Sequence, residues 1–209
     1  MKKWTMVLTA VVFAAALPRV GQAQGLSLGV KAGVNMANFT GDDAPDTDMR
    51  TGFTAGAYLR LSTPGMFAIQ PEVLFSQKGA QQSFDFGAGP VDASWNTTYV
   101  EIPVLLRIGV PMPASPVKPF VFAGPSAGFL LSSKIKAESD DESAEVDFKD
   151  STKSTDWGAV VGAGLDFGSL SVDLRANLGL SSLSDIDDDV DMKNRTFTVM
   201  LGYQLPLGM

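Results

Sequence analysis

The sequence predicts an all-β fold, an eight-stranded antiparallel up-and-down transmembrane β-barrel with short periplasmic turns and long extracellular loops. Three observations carry that expectation. Segment after segment alternates apolar and polar residues with period two, which gives a strand one apolar and one polar face. Beyond the first two dozen residues no stretch approaches the roughly 20 apolar residues of a spanning helix, and a closed barrel is the other structure that satisfies its own backbone in lipid. The connections alternate long and short, which sorts them to two sides of a membrane.

The N-terminal segment stands apart from this pattern. Lys2 and Lys3 give a basic start, residues 7–17 are apolar, and Gly21 and Ala23 flank Gln22 as the small residues of a cleavage site. Residues 1–23 are expected to form a secretory signal peptide and residues 24–209 a single barrel domain. Cleavage would remove Lys2, Lys3 and Arg19 from the 16 basic residues and none of the 23 acidic ones, leaving 13 − 23 = −10. Such a charge argues against nucleic acid as a partner. The chain has no cysteine and no histidine, so disulfide staples, Ser-His-Asp and Cys-His nucleophilic sites and most zinc sites are excluded. No cofactor and no enzymatic activity are expected.

The strands follow in order. In LSLGVKAGVNM, Leu26, Leu28, Val30, Ala32, Val34 and Met36 share one face and Lys31 lies on the other. TGFTAGAYLRL sets Phe53, Ala55, Ala57, Leu59 and Leu61 against Tyr58 and Arg60. MFAIQPEVLFSQ, over 66–77, is noisier. YVEIPVLLRIGV puts Val100, Ile102, Val104, Leu106, Ile108 and Val110 on the lipid side and Tyr99, Glu101, Pro103, Leu105, Arg107 and Gly109 inside. Pro103 lacks a donor, which predicts a bulge or a water-satisfied gap. Glu101 and Arg107 lie too far apart to pair, so each is expected to find its partner on a neighbouring strand. Over 117–132 both phases are apolar and the facing stays open. WGAVVGAGLDF, LSVDLRANLGL and TFTVMLGYQLPL return to clean alternation. The expected long loops span 38–50, 79–96, 133–154 and 182–194.

Taken together, GVKAGVNMANF, FTAGAYLRL, IQPEVLFSQKG, YVEIPVLLRIGV, KPFVFAGPSAGFLL, WGAVVGAGLDF and FTVMLGYQLPL resemble the PorT-like outer-membrane β-barrel domain family of Bacteroidetes and related bacteria. The resemblance implies an eight-stranded barrel in the outer membrane of a Gram-negative cell. It implies little about activity, since only some relatives are tied to secretion or gliding machinery.

If the apolar phase faces lipid, the other phase fills the lumen with Lys31, Arg60, Glu72, Lys78, Glu101, Arg107, Asp156, Asp166, Asp173 and Arg175, interspersed with Tyr58, Gln70, Tyr99 and Asn177. Eight strands leave room only for side chains, and buried charges there must pair. The expected role is structural or interactive, with a plugged lumen and a possible place beside an envelope machine. A narrow small-solute channel is the first alternative, and a soluble lipocalin-like carrier, with the apolar phase turned inward, is the next. Asp185, Asp187, Asp189 and Asp191 form a weak divalent-ion candidate. The EF-hand pattern fails there, because the sixth and twelfth positions are Val190 and Thr196, or Met192 and Thr198. Expected partners are outer-membrane lipid, lipopolysaccharide bridged by divalent ions to the acidic loops, or envelope proteins.

Overall fold

A computed structural model of the chain describes residues 25–41, 48–85, 90–112, 115–138, 143–147, 153–181 and 193–207. The strands are β1 (Gly25–Thr40), β2 (Asp48–Ser62), β3 (Phe67–Asp85), β4 (Pro90–Gly109), β5 (Val117–Glu138), β6 (Ser143–Asp147), β7 (Thr155–Phe167), β8 (Leu170–Gly179) and β9 (Lys193–Leu207). All pairings are antiparallel, in the order β4-β3-β2-β1-β9-β8-β7-β5, and the β4–β5 pair closes the ring. Closure leaves no unpaired edge in the membrane, as an apolar solvent demands. Among the described residues no helix is long and apolar enough to cross a membrane. The strands do the crossing.

The pleat sorts the residues as the alternation predicts. Val30, Phe53, Val73, Val104, Leu106, Val161, Leu174, Val199 and Leu201 are exposed around the outside, while Lys31, Glu72, Glu101 and Arg175 are buried inside. A water-soluble carrier would need the reverse arrangement, so the lipocalin-like expectation is overturned. On β4 the expected facing holds: Val104, Leu106 and Val110 are exposed, and Glu101, Pro103, Leu105 and Arg107 are buried.

The open question of β5 also has an answer. Phe120 and Phe122 point inward, joining Leu105 and Val160 in an apolar patch on the lumen wall. That inward apolar pair is what blurs the phase. Gly162 and Gly164 on β7 face these rings, and a methyl group on either would overlap them. Glycine is needed there for close approach.

Of three expectations, one is narrowed and two are corrected. First, of the bulge or gap expected at Pro103 the ladder has the gap: pairing to β3 skips Glu72 and Val73 and resumes in the same register, with Pro71 opposite Val104 and Leu74 opposite Glu101. The register shift lies instead between Thr98 and Tyr99, where β5 carries Leu131 as an extra residue. It returns Ser133, rather than an even-numbered residue, to the inside. Second, the segments 79–96 and 133–154 are not simply loops. β3, β4 and β5 continue for 19, 20 and 22 residues, and β6 adds a ninth strand on the upper part of β5. Third, Arg107 reaches past neighbouring β5 to Asp166 on β7.

Short connections close the opposite end. β7 turns into β8 through Gly168 and Ser169, with Gly168 at φ +63°, the left-handed conformation a two-residue hairpin requires. The first 23 residues and the aspartates at 185, 187, 189 and 191 lie outside the described residues.

Candidate functional site

The lumen is where the fold buries charged side chains. It contains three tiers, stacked from the short-turn end to the long-loop end.

The central tier joins three strands. Lys31 of β1 donates to Glu72 of β3 at 2.8 Å and to Asp173 of β8 at 3.2 Å. Arg175 of β8 donates through Nη1 to Glu72 Oε2 at 2.8 Å and through Nε to Asp173 Oδ1 at 2.9 Å. Each charge thus has two partners of opposite sign. The Gln70 amide adds a donor to Glu72 Oε1 at 2.7 Å. Phe122 lies under Arg175, its ring centroid 5.1 Å from the guanidinium carbon, and Tyr58 stands 5.0 Å from the Lys31 ammonium. Such aromatic faces stabilise cations already stripped of water.

The lower tier sits at the short-turn mouth. Arg107 pairs with Asp166 and stacks 3.2 Å from the Phe120 centroid. Arg60 approaches Asp166 at 3.6 Å, donates to Gln70 Oε1 at 2.8 Å and also donates to Gln204. Asp166 keeps a side-chain exposure of 20%, against 0% for Glu72, so the lower tier is wetter than the centre.

In the upper tier Lys78 of β3 pairs with Glu101 of β4 at 2.6 Å, and Asn177 of β8 donates to the same carboxylate at 2.8 Å. Asp156 of β7 accepts from Asn194 at 2.8 Å and from Ser181 at 3.2 Å. Phe39, Ala80 and Trp95 pack together farther up the barrel, with the two rings edge to face at 6.4 Å.

Lys31, Arg60, Glu72, Lys78, Glu101, Arg107, Asp166, Asp173 and Arg175 therefore all stand in the lumen. The fold brings them together in three charge groups, the lower and central ones joined through Gln70, which accepts from Arg60 and donates to Glu72. Five cations (Lys31, Arg60, Lys78, Arg107, Arg175) share the lumen with five anions, of which Glu72, Glu101, Asp166 and Asp173 are ion-paired and Asp156 accepts from neutral donors. Asn35 was not singled out by the sequence pattern, yet it ties the upper wall together. It donates to Ser76 at 3.0 Å and to the Gln77 carbonyl at 2.8 Å, and accepts from Thr198 at 2.9 Å. Its inward phase on β1 was the available signal. A cavity of about 10 Å³, bordered by Thr54, Glu101, Arg175 and Thr196, separates the central and upper tiers; it has room for about one water. Among the described residues, no group of three or more His, Cys, Asp or Glu side chains is arranged to hold a metal ion.

Among solved structures, Ail, the attachment invasion locus protein of Yersinia pestis, is 16% identical over 87% of this chain and 99% of its own, with a TM-score of 0.44; that crystal contains the heparin analogue sucrose octasulfate. Neisserial surface protein A is 12% identical over 86% of this chain and 98% of its own, with a TM-score of 0.48. The outer membrane enzyme PagL is 15% identical over 86% and 99%, with a TM-score of 0.41. At these identities no ligand or activity transfers to this chain. No curated protein sequence matches it. The family model described as outer membrane protein beta-barrel domain matches residues 22–185. With its closed ring of eight strands, apolar outside and charged within, the chain belongs to the outer membrane protein beta-barrel domain family and resides in the cell outer membrane.

Proposed function

We propose that this barrel is a non-enzymatic interaction protein, plugged by its own charges, that offers a raised sheet to a partner outside the cell. The observation carrying this reading is the unequal height of the wall. β3, β4 and β5 have 19, 20 and 22 residues, whereas β7 and β8 have 13 and 10. At about 3.3 Å per residue and a tilt of about 40°, twenty residues climb about 50 Å, well beyond the roughly 30 Å hydrocarbon layer. The upper parts of β3, β4 and β5, with β6, form a four-stranded sheet on one side only. Among the described residues the outer edge of β6 pairs with no strand, and Val146 on it is exposed. An open edge of this kind accepts an extended segment of another chain through main-chain hydrogen bonds.

Residues 1–23 act as the export signal and are removed; N-terminal sequencing of the membrane-extracted protein, beginning at Gln24, tests this. Membership in the PorT-like group and service beside an envelope machine are supported by the sequence resemblance. The partner is an envelope or external protein, with lipopolysaccharide at the rim.

A photo-crosslinking residue at Val146 in intact cells is expected to give a discrete protein adduct, while one at lipid-facing Val121 gives none. Equal labelling at the two positions overturns the reading. The plug is supported by paired charges in each tier and by the one-water cavity between two of them. Planar-bilayer recordings should show no reproducible conductance steps, and regular steps would establish the channel instead.

A further inference from the structure

The three tiers do not balance separately. Lys31 and Arg175 cancel Glu72 and Asp173 in the centre. At the lower mouth Arg60 and Arg107 face Asp166, an excess of one positive charge beside water. In the upper tier Lys78 pairs with Glu101 alone, and Asp156 adds a second carboxylate, an excess of one negative charge among the described residues. Asp156 and Asp166 are ten residues apart on β7, about 33 Å along the strand. The lower excess is thus too distant to compensate the upper one.

Asp156 is buried, and among the described residues it has no cationic partner, only the Asn194 amide and the Ser181 hydroxyl. A carboxylate so placed is strongly destabilising unless positive charge accompanies it. Around it lie oxygen atoms with unused capacity. The Tyr99 hydroxyl, Thr97 Oγ1, Asn194 Oδ1 and Thr196 Oγ1 are all buried without a hydrogen-bond partner. Four such atoms in one tier is unusual, because buried polar groups are nearly always satisfied.

The backbone explains why they converge. Asp156 is opposite Gly128, and Gly128 is opposite Glu101, so the two carboxylates occupy one level on either side of a residue with no side chain. A methyl group at Gly128 would touch Tyr99 Cδ1 at 3.4 Å and Asp156 Cβ at 3.6 Å. Tyr99 fills that gap, and its hydroxyl lies beside Asn194 and Thr97, within electrostatic reach of Asp156 and Glu101.

We propose that this tier binds one alkali cation of sodium size, held by the Asp156 carboxylate, the Tyr99 hydroxyl, Asn194 Oδ1 and Thr97 Oγ1. Hard oxygen donors suit a hard cation. One missing positive charge suits a monovalent ion, and the absence of any three-carboxylate group among the described residues disfavours a divalent one. The ion would enter as the barrel closes and become part of the folded state, stabilising it by mass action.

The test is refolding of the full-length mature barrel from urea into detergent micelles. It is run in sodium chloride and in N-methylglucamine chloride at equal ionic strength, with the urea midpoint read from the mobility of folded and unfolded bands. Wild type should have a higher midpoint in sodium, and Asp156→Asn should show the same midpoint in both salts. Tyr99→Phe should need about tenfold more sodium for half of the shift. Should Asp156→Asn fail to refold, Tyr99→Phe decides, and an unchanged sodium requirement overturns the site. Identical wild-type midpoints in the two salts overturn it as well, as does an undiminished sodium shift in Asp156→Asn. Crystals grown with thallium(I) acetate should show an anomalous peak beside Asp156, whereas a water without anomalous signal there refutes the cation.

Discussion

The central and lower tiers of the lumen use the same parts at two depths. Each has an arginine over a phenylalanine, a glycine on β7 making room for that ring, and a carboxylate receiving the guanidinium: Arg175, Phe122, Gly162 and Asp173 in the centre, and Arg107, Phe120, Gly164 and Asp166 at the mouth. The difference lies in what surrounds the carboxylate. Glu72 in the centre has no exposed side-chain surface and two cationic partners, whereas Asp166 keeps 20% of its side chain open. Similar pairing should therefore be worth very different amounts. Where water can re-solvate an orphaned charge, its loss is cheap; where it cannot, the survivors are stranded.

The largest effect should come from breaking the centre. Glu72→Gln keeps the size of the side chain but leaves Lys31 and Arg175 sharing Asp173 alone. Removing one member of a buried ionic group typically costs about 3–5 kcal/mol. The urea midpoint for unfolding in micelles should fall accordingly. A midpoint equal to wild type would mean that water already reaches the central tier.

An intermediate effect should follow from crowding the stack. In Gly162→Ala the added methyl would overlap the Phe122 ring and the Leu174 carbonyl. The ring must leave its place beneath Arg175, and overpacking of this kind costs about 1–3 kcal/mol. A double variant with Phe122→Leu sharpens the assignment: if the ring is the obstacle, the smaller partner recovers part of the loss, and additive losses would place the strain in the backbone instead.

The barrel itself was legible in the sequence because lipid outside and charge inside impose period two on residues such as Val30, Lys31, Leu174 and Arg175. The contents of the lumen were legible as a list, from the same alternation, but their grouping was not. Lys31 and Asp173 are 142 residues apart and meet only when the ring closes. Strand β5 hid its phase because Phe120 and Phe122, apolar yet inward, serve as faces for arginines from β4 and β8. The raised sheet was read as loop for a different reason. Above the membrane the outer face meets water instead of lipid, so segments such as Ser94 to Thr98 and Ser133 to Lys136 carry polar residues outside as well as the buried Thr97 and Ser133 inside, and the period that marks a spanning strand is lost. Pro103 promised a bulge or a gap because a closed barrel gives it no free edge. The ladder skips a step there and keeps its register.

The smallest effect should be found at the mouth, and it is the sharpest check on the comparison. Asp166→Asn removes the only carboxylate that Arg60 and Arg107 contact among the described residues. By a count of partners this should be as damaging as Glu72→Gln, since in both cases two cations lose a shared anion. By exposure it should not. Arg60 keeps its bonds to Gln70 and Gln204, Arg107 keeps the Phe120 ring, and the mouth lets water and counter-ions approach both. A loss of about 1 kcal/mol is expected, and it should shrink further as salt is raised from low ionic strength, because ions screen the repulsion between the two guanidiniums. Glu72→Gln, sealed from salt, should show a loss that does not change across the same range. If the two variants respond to salt alike, depth in the lumen is not what sets the worth of these pairs, and the three-tier description loses its physical basis.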